Sequence, residues 1–334
     1  MAEFKNVFIF VSDALSYNHV PEELVEEADS EVIRTLAPSL HSPKSFVSIL
    51  TGLESPNHEV YHFGDMVEND NVLEMFENSN FYEHDDNNSA MRYMFSLQDN
   101  LELEEMEEPF FWFERSSETH EPYIWTKNHG IHTDEEYPSF DEDYFGNFSD
   151  EELREKYEEA AQEAYKHFKR HVNYLEEEGL LEDTLVIFTA DHGELLGERV
   201  YGRKRYSHNV PACMQLAEVP VLFYNYDPGV KRMRSVDIVP TVLDLLDKSW
   251  MMDADGVSIL DEVPDEGYCP TGPYVFDLEW EWNSKKETWG LKPKSKVKAL
   301  IEDVTTEWLV NKVGLSTHEI KFGKDKEKDV SYDD

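Results

Sequence analysis

Thr184-Leu185-Val186-Ile187-Phe188-Thr189-Ala190-Asp191-His192-Gly193 is the stretch on which the fold turns. Its first seven residues are apolar or β-branched, the pattern of a strand buried on both faces. The run stops abruptly on a carboxylate, an imidazole and a glycine. A second run of the same kind, Asn6-Val7-Phe8-Ile9-Phe10-Val11, stops on Ser12-Asp13. A third, Val219-Pro220-Val221-Leu222-Phe223-Tyr224, carries a proline that points to an edge strand or a strand start.

Helices fill the intervals. Ser149-Asp150-Glu151-Glu152 has the Ser-x-x-Glu form of a capping box. Behind it Leu153, Tyr157, Ala160, Ala161, Ala164, Tyr165, Phe168 and Val172 recur at helical spacing up to about Glu178, where Gly179 supplies a stop. Residues 237–247 read as another helix with Pro240 in its first turn, and a third starts near Lys44 and breaks at Thr51-Gly52. The acidic stretch 97–109 reads as a surface helix, Phe110–Phe113 as a core strand, and 126–148 as a long loop. Buried strands alternating with amphipathic helices predict an α/β layered fold around a mostly parallel sheet. Residues 1–254 form the expected main domain. Residues 255–334 form a small C-terminal subdomain, with a strand at Tyr274–Phe276, a helix over Lys296–Val310 and a frayed tail.

The chain has 334 residues, 72 Asp+Glu against 30 Lys+Arg, and a formal net charge of −42. Such a surface repels nucleic acid and anionic lipid, so neither is expected as a partner. With 40% hydrophobic and 13% aromatic residues the chain has ample material for a core, which excludes disorder as the source of the acidity. A salt-rich working solvent accounts for it, since the screening length falls to about 3 Å at 1 M. No uninterrupted apolar segment approaches membrane-spanning length, and no apolar leader opens the chain, so a cytoplasmic location is expected. Cys213 and Cys269 form neither metal-ligand spacing nor a disulfide framework; a single bridge between them stays open, though nothing requires it.

In open α/β sheets ligands sit at the C-terminal edge of the strands, where Asp13, Asp191 and His192 fall. Together they suit a divalent ion: Mn²⁺ or Zn²⁺ for mixed carboxylate and imidazole, Ca²⁺ or Mg²⁺ for carboxylate oxygen. The same residues also read as a helix N-cap and a strand-exit turn. Charge separates the alternatives. Arg199, Arg203, Lys204 and Arg205 place four of the 30 basic residues within seven positions, just after Asp191-His192. A protein this acidic gathers positive charge beside a metal site when its ligand is a phosphate or sulfate. His208 adds an imidazole to the same loop. His167 and His171, four residues apart on the long helix, are expected to face its surface.

These segments resemble the sulfatase family of the alkaline-phosphatase-like superfamily. The resemblance is carried in order by Asn6–Asp13, Ser42-Pro43-Lys44-Ser45-Phe46-Val47-Ser48-Ile49-Leu50-Thr51-Gly52, His120-Glu121-Pro122-Tyr123, Thr184–Gly193, Val219–Phe223 and Ser235–Asp244. With the acidic surface, it implies a salt-adapted, haloarchaeal-type member: a metal-dependent hydrolase of small anionic sulfate or phosphate esters. The resemblance assigns Asp13, Asp191 and His192 to the metal and Ser42 to the nucleophile. It places His120, His208 or Arg205 at the transferred group or leaving oxygen. The family pattern of Cys or Ser followed by x-Pro-x-Arg is broken, because Lys44 and Phe46 stand at the Pro and Arg positions. No conversion of Ser42 to formylglycine is therefore expected, and Lys44 is the candidate to replace the missing Arg charge. A second family aspartate is Ala14 here. These losses leave an alternative, a catalytically silent member that binds a metal and an anionic ligand.

Overall fold

Strand β1 (Asn6–Ser12) is buried along its whole length. Its side chains alternate between two cores, as the period of a strand requires. Phe8 and Phe10 join Trp112, Phe168, Val186 and Phe188 on one face of the sheet. Val7, Ile9 and Val11 join Phe46, Phe113, Ile187 and Val239 on the other. The structure, a computed structural model, describes residues 4–83, 90–97, 101–123, 143–208, 212–249, 254–271, 278–296 and 298–299.

After β1 come α1 (Glu22–Glu27), β2 (Ile33–Leu36), α2 (Ser42–Thr51), α3 (Ser55–His58), β3 (Asn78–Glu83), α4 (Ala90–Met94) and β4 (Phe110–Ser116). Next are α5 (Asp143–Gly146), α6 (Asp150–Glu177), β5 (Thr184–Thr189), the hairpin β6 (Leu196–Val200) and β7 (Arg203–Tyr206), α7 (Met214–Ala217) and β8 (Glu218–Phe223). The described part closes with β9 (Arg232–Arg234), α8 (Ile238–Leu245) and a small antiparallel sheet of β10 (Glu266–Tyr268), β11 (Glu279–Asn283) and β12 (Thr288–Leu291). The main sheet has seven strands in the order β3-β4-β1-β5-β8-β2-β9. All its pairings are parallel except the two made by β8. Helix α6 covers one face and α2 with α8 the other, which gives the expected layered α/β architecture. No described helix is long and apolar enough to cross a membrane.

Several expectations are corrected. Pro220 lies in an interior strand, between β5 and β2. It is tolerated because it falls in the strand's first half, before the β5 pairing begins at Val221. Helix α2 begins at Ser42, with Pro43 in its first turn and Gly52 closing it at φ +69°. Among the described residues of the acidic stretch, 97 and 101–109, the helical structure is a 3₁₀ turn at Leu103–Glu105, where Leu103 is the buried residue and supplies too little apolar surface to anchor a longer helix. His171 is buried, stacked on Trp112 at 4.6 Å with Nδ1 3.3 Å from Glu114. His167 lies 3.4 Å from buried Glu118. Both therefore face the sheet, drawn in by carboxylates on and after β4. The Tyr274–Phe276 strand, most of the Lys296–Val310 helix and most of the 126–148 loop lie outside the described residues.

Asp255 and Gly256 both donate their backbone N–H to the Gly52 carbonyl at 3.0 Å, and Asp255 Oδ2 accepts from the Glu54 N–H at 2.8 Å. Burial pushes the Glu54 carboxyl up to about 7, with Asp255 adding to the effect and Arg234 opposing it. Because the folded value lies above the ordinary 4.5, this contribution to stability is fully present below about pH 4.5 and is lost as pH rises through 7. Glu54→Gln is expected to stabilise the protein at pH 8.5 by about 1 kcal/mol, after discounting for its partial exposure, with little effect at pH 4.5. Denaturant titrations at the two pH values in high salt check this. Equal effects at both would refute it.

Candidate active site

Three chain segments meet at the C-terminal edge of the parallel strands. β1 delivers Asp13, β5 delivers Asp191 and His192, and the turn after β2 delivers Ser42 at the start of α2. Ser42 Oγ lies 3.1 Å from His192 Nε2 and 3.5 Å from Asp13 Oδ1. His192 Nε2 is 3.3 Å from Asp191 Oδ2 and 3.8 Å from Asp13 Oδ1. All four residues are buried, and one ligand atom from each of Asp13, Asp191 and His192 lies within 4.8 Å of the others.

The local backbone explains why these residues stand so close. Gly193 permits close approach of α7: a Cβ there would sit 2.2 Å from the Gln215 carbonyl oxygen, and its N–H donates to Leu216 O at 2.8 Å. Ala14 sits at φ +66°, in the left-handed region that L-residues enter at a cost. It is fixed there by its N–H to Asp191 Oδ1 at 2.9 Å and by its carbonyl, which accepts from Tyr157 of α6 at 2.5 Å.

The donor set fits a divalent cation. His192 Nδ1 is 3.1 Å from the Gly193 carbonyl, which accepts only from an N–H, so Nδ1 carries a proton and Nε2 is the nitrogen left to face an ion. Nε2 faces two carboxylate oxygens, and among the described residues buried Asp191 Oδ2 has no donor in good hydrogen-bond geometry. Converging lone pairs in a dry site repel one another unless a positive charge lies between them. Burial, reinforced by Asp13, pushes the Asp191 carboxyl well above the usual carboxylate range. Burial acts the same way on Asp13, but Arg115, with the site histidines, outweighs it and holds that carboxyl below the usual range.

His208 joins the cluster with its ring 4.3 Å from that of His192 and Nδ1 3.3 Å from buried Glu194. Half-buried His120 adjoins it, ring to ring at 4.9 Å. Lys44 is fully buried, with Nζ 5.3 Å from the Tyr61 ring centroid. The basic run 199–205 forms the β6–β7 hairpin, whose register sets Arg199 opposite Lys204 and divides the four basic residues between its two faces. Lys204 pairs with Asp150 at 2.6 Å, Arg199 reaches the Gly202 carbonyl at 3.3 Å, and Arg205 is half-buried on β7. Antiparallel strands send successive side chains to opposite faces, which disperses charges that are adjacent in sequence.

Sequence reasoning missed Arg115, Glu83 and Glu194. Arg115 donates from Nε and Nη2 to Asp13 Oδ2 at 2.8 and 2.6 Å, and from Nη1 to Glu83 Oε1 at 3.0 Å. The available signal was a charged pair, Glu114-Arg115, continuing the apolar strand that begins at Phe110.

Comparison with known proteins gives concordant results. A family model described as Sulfatase matches residues 42–248, more than half of the chain, with Asp13 upstream of the match. Agl7 of Haloferax volcanii, described as a low-salt glycan biosynthesis sulfotransferase, is 29% identical over 280 residues, covering 79% of this chain and 66% of Agl7. Arylsulfatase K of Gallus gallus is 28% identical over 165 residues, 44% of this chain and 30% of its own. The chain thus spans less than two thirds of either relative. A solved phosphonate monoester hydrolase of Agrobacterium radiobacter superposes with a TM-score of 0.62 at 14% identity, over 83% of this chain and 85% of that one. The fold is alkaline-phosphatase-like.

Proposed function

The chain belongs to the sulfatase family, and from that membership we propose that residues 1–254 form a metal-dependent domain cleaving sulfate or phosphate esters with Ser42 as nucleophile. The observation that carries the reading is the Ser42 hydroxyl, 3.1 Å from His192 and 3.5 Å from Asp13, beside three buried side chains suited to one ion. Asp13, Asp191 and His192 would hold the ion. When bound, it supplies the positive charge that makes the serine hydroxyl acidic and offsets charge on the transferred group.

The remaining steps belong to the chain's own groups. Ser42 Oγ forms a bond to phosphorus or sulfur as the bond to the ester oxygen breaks. The leaving oxygen takes a proton from His208 or His120. The carboxylate of Glu194 on His208 Nδ1 turns the other ring nitrogen outward. Backbone N–H groups in the first turn of α2 face the anion. Water then hydrolyses the Ser42 ester and frees the enzyme. An unmodified serine favours phosphate or phosphonate over sulfate. A formylglycine hydrate expels sulfate by C–O cleavage, an exit closed to sulfoserine. Transfer of the same group to an acceptor hydroxyl is a second reading, supported by the similarity to Agl7, named a sulfotransferase. The charge of −42 and this haloarchaeal relative support a salt-rich working solvent.

Aryl phosphate, aryl phosphonate and aryl sulfate should be tested in high salt with Mn²⁺, Ca²⁺, Mg²⁺ or Zn²⁺, and again after EDTA. Cleavage of at least one ester, lost on chelation, is expected, with the Ser42 peptide at its unmodified mass. Absence of cleavage with every ion would return the chain to the silent, ligand-binding alternative. His208→Gln should lower turnover of an alkyl ester by about 10²-fold or more, yet that of a 4-nitrophenyl ester only a few-fold, because nitrophenolate leaves without a proton. Equal losses on the two esters would remove His208 from the leaving-group role.

A further inference from the structure

Both carboxylates of the candidate metal cluster are restricted to one free oxygen each. Asp191 Oδ1 accepts the N–H groups of Ala14 and His192, each at 2.9 Å, so only Oδ2 faces the cluster. Asp13 Oδ2 is taken by two nitrogens of Arg115, so only Oδ1 faces Ser42 and His192. Arg115 is itself secured by buried Glu83, which Arg92 approaches at 3.8 Å. The guanidinium also lies 5.7 Å from the ring centroid of Phe46, which packs on Phe81 and Phe113. Helix α2 thus brings an aromatic ring to a place where β4 brings a cation.

We propose that Arg115 is a positioning residue that sets ion preference: by occupying Asp13 Oδ2 it limits Asp13 to one-oxygen coordination and favours Mn²⁺ or Zn²⁺ over Ca²⁺. The inference rests on the metal-dependent reading above. The chemistry follows from ligand counting. Ca²⁺ takes six to eight oxygens and often draws both from a carboxylate, whereas Mn²⁺ and Zn²⁺ accept fewer ligands and an imidazole nitrogen. Two single carboxylate oxygens and one imidazole nitrogen make a poor calcium cage. Freeing Asp13 Oδ2 adds the second oxygen that calcium uses.

The test is calorimetric titration of the metal-stripped full chain in high salt with Mn²⁺ and with Ca²⁺, for wild type, Arg115→Lys, Arg115→Gln and the double variant Arg115→Gln/Glu83→Gln. Both ions carry the same charge, so the electrostatic effect of removing a cation largely cancels in the ratio of their affinities. Wild type is expected to bind Mn²⁺ more tightly. Arg115→Gln should move the ratio toward Ca²⁺ by about tenfold, the low end of what loss of an outer-shell partner does. Arg115→Lys, still able to donate to Oδ2, should stay within about threefold of wild type. The double variant removes the carboxylate stranded by Arg115→Gln and decides the matter should that single variant fail to fold. A folded Arg115→Gln or double variant with the wild-type ratio overturns the proposal, since a merely structural ion pair leaves the ratio unmoved. Failure of wild type to bind either ion overturns the metal-dependent reading itself, an outcome distinct from an unchanged ratio.

Discussion

Ser42→Ala is expected to reduce ester cleavage by about 10⁴-fold or more, while folding and Mn²⁺ affinity stay within a few-fold of wild type. The magnitude is that of losing a nucleophile from a site whose other groups remain. Structure makes the variant clean. Ser42 opens α2 without capping it, because the helix has no side-chain cap hydrogen bond, and the flanking residues are anchored independently. Ser45 Oγ donates to Ser39 O at 3.0 Å, and Ser45 N–H donates to His41 O at 3.1 Å. Among the described residues the hydroxyl contacts Asp13 and His192 at the distances given above and also hydrogen-bonds Asp191, all three of them members of the candidate site, so its removal opens a space smaller than a methyl group. Turnover, calorimetry and near-ultraviolet circular dichroism on one preparation check the three parts. Retention of more than about a tenth of wild-type turnover would assign the nucleophile elsewhere, since metal and anion binding alone leave only a small residual rate.

Asp191→Asn is expected to weaken Mn²⁺ binding and turnover by about 10³-fold, and at the same time to stabilise the metal-free protein by roughly 1–3 kcal/mol. The opposite signs are the diagnostic feature. Asn retains an oxygen to accept from the Ala14 and His192 backbone N–H groups, each 2.9 Å from Asp191 Oδ1, so the turn is preserved. What disappears is a fully buried carboxylate that burial and Asp13 both push toward the neutral form. Asp13 has a direct Arg115 ion pair to offset that cost, whereas among the described residues Asp191 is paired only with His192, at 3.3 Å, and feels Arg115 without direct contact. Denaturant unfolding at neutral pH after chelation measures the stability, and calorimetry the affinity. A destabilised metal-free variant would mean that the carboxylate serves the fold, and the metal assignment of Asp191 would fall.

Much of the fold was legible because burial on both faces writes itself as an unbroken apolar run. Thr184–Ala190 and Asn6–Val11 are such runs, and their ends fixed the sheet edge at which Asp13, Asp191 and His192 lie. The α6 boundaries were legible from local chemistry: the Ser149–Glu152 capping box at one end and Gly179, at φ +72°, just past the other. The direction of β8 was not, since a buried strand has the same composition whichever way it runs. The inward turn of His167 and His171 was also hidden, because only tertiary packing puts Glu118 and Glu114 against them.

The sequence by itself determined the layered α/β class, the acidic surface, the family and the segments that bring Ser42, Asp13, Asp191 and His192 to one edge. Each of these is written in local spacing, composition or an ordered motif. Tertiary structure alone decided which oxygen of each carboxylate stays free, and that a guanidinium from β4 takes one of them. The physical reason is that a buried ion pair is set by where strands β1, β3 and β4 lie side by side. Arg115 meets Asp13 across 102 positions of chain and Glu83 across 32. Pairing at such separations leaves no periodicity for a sequence to display.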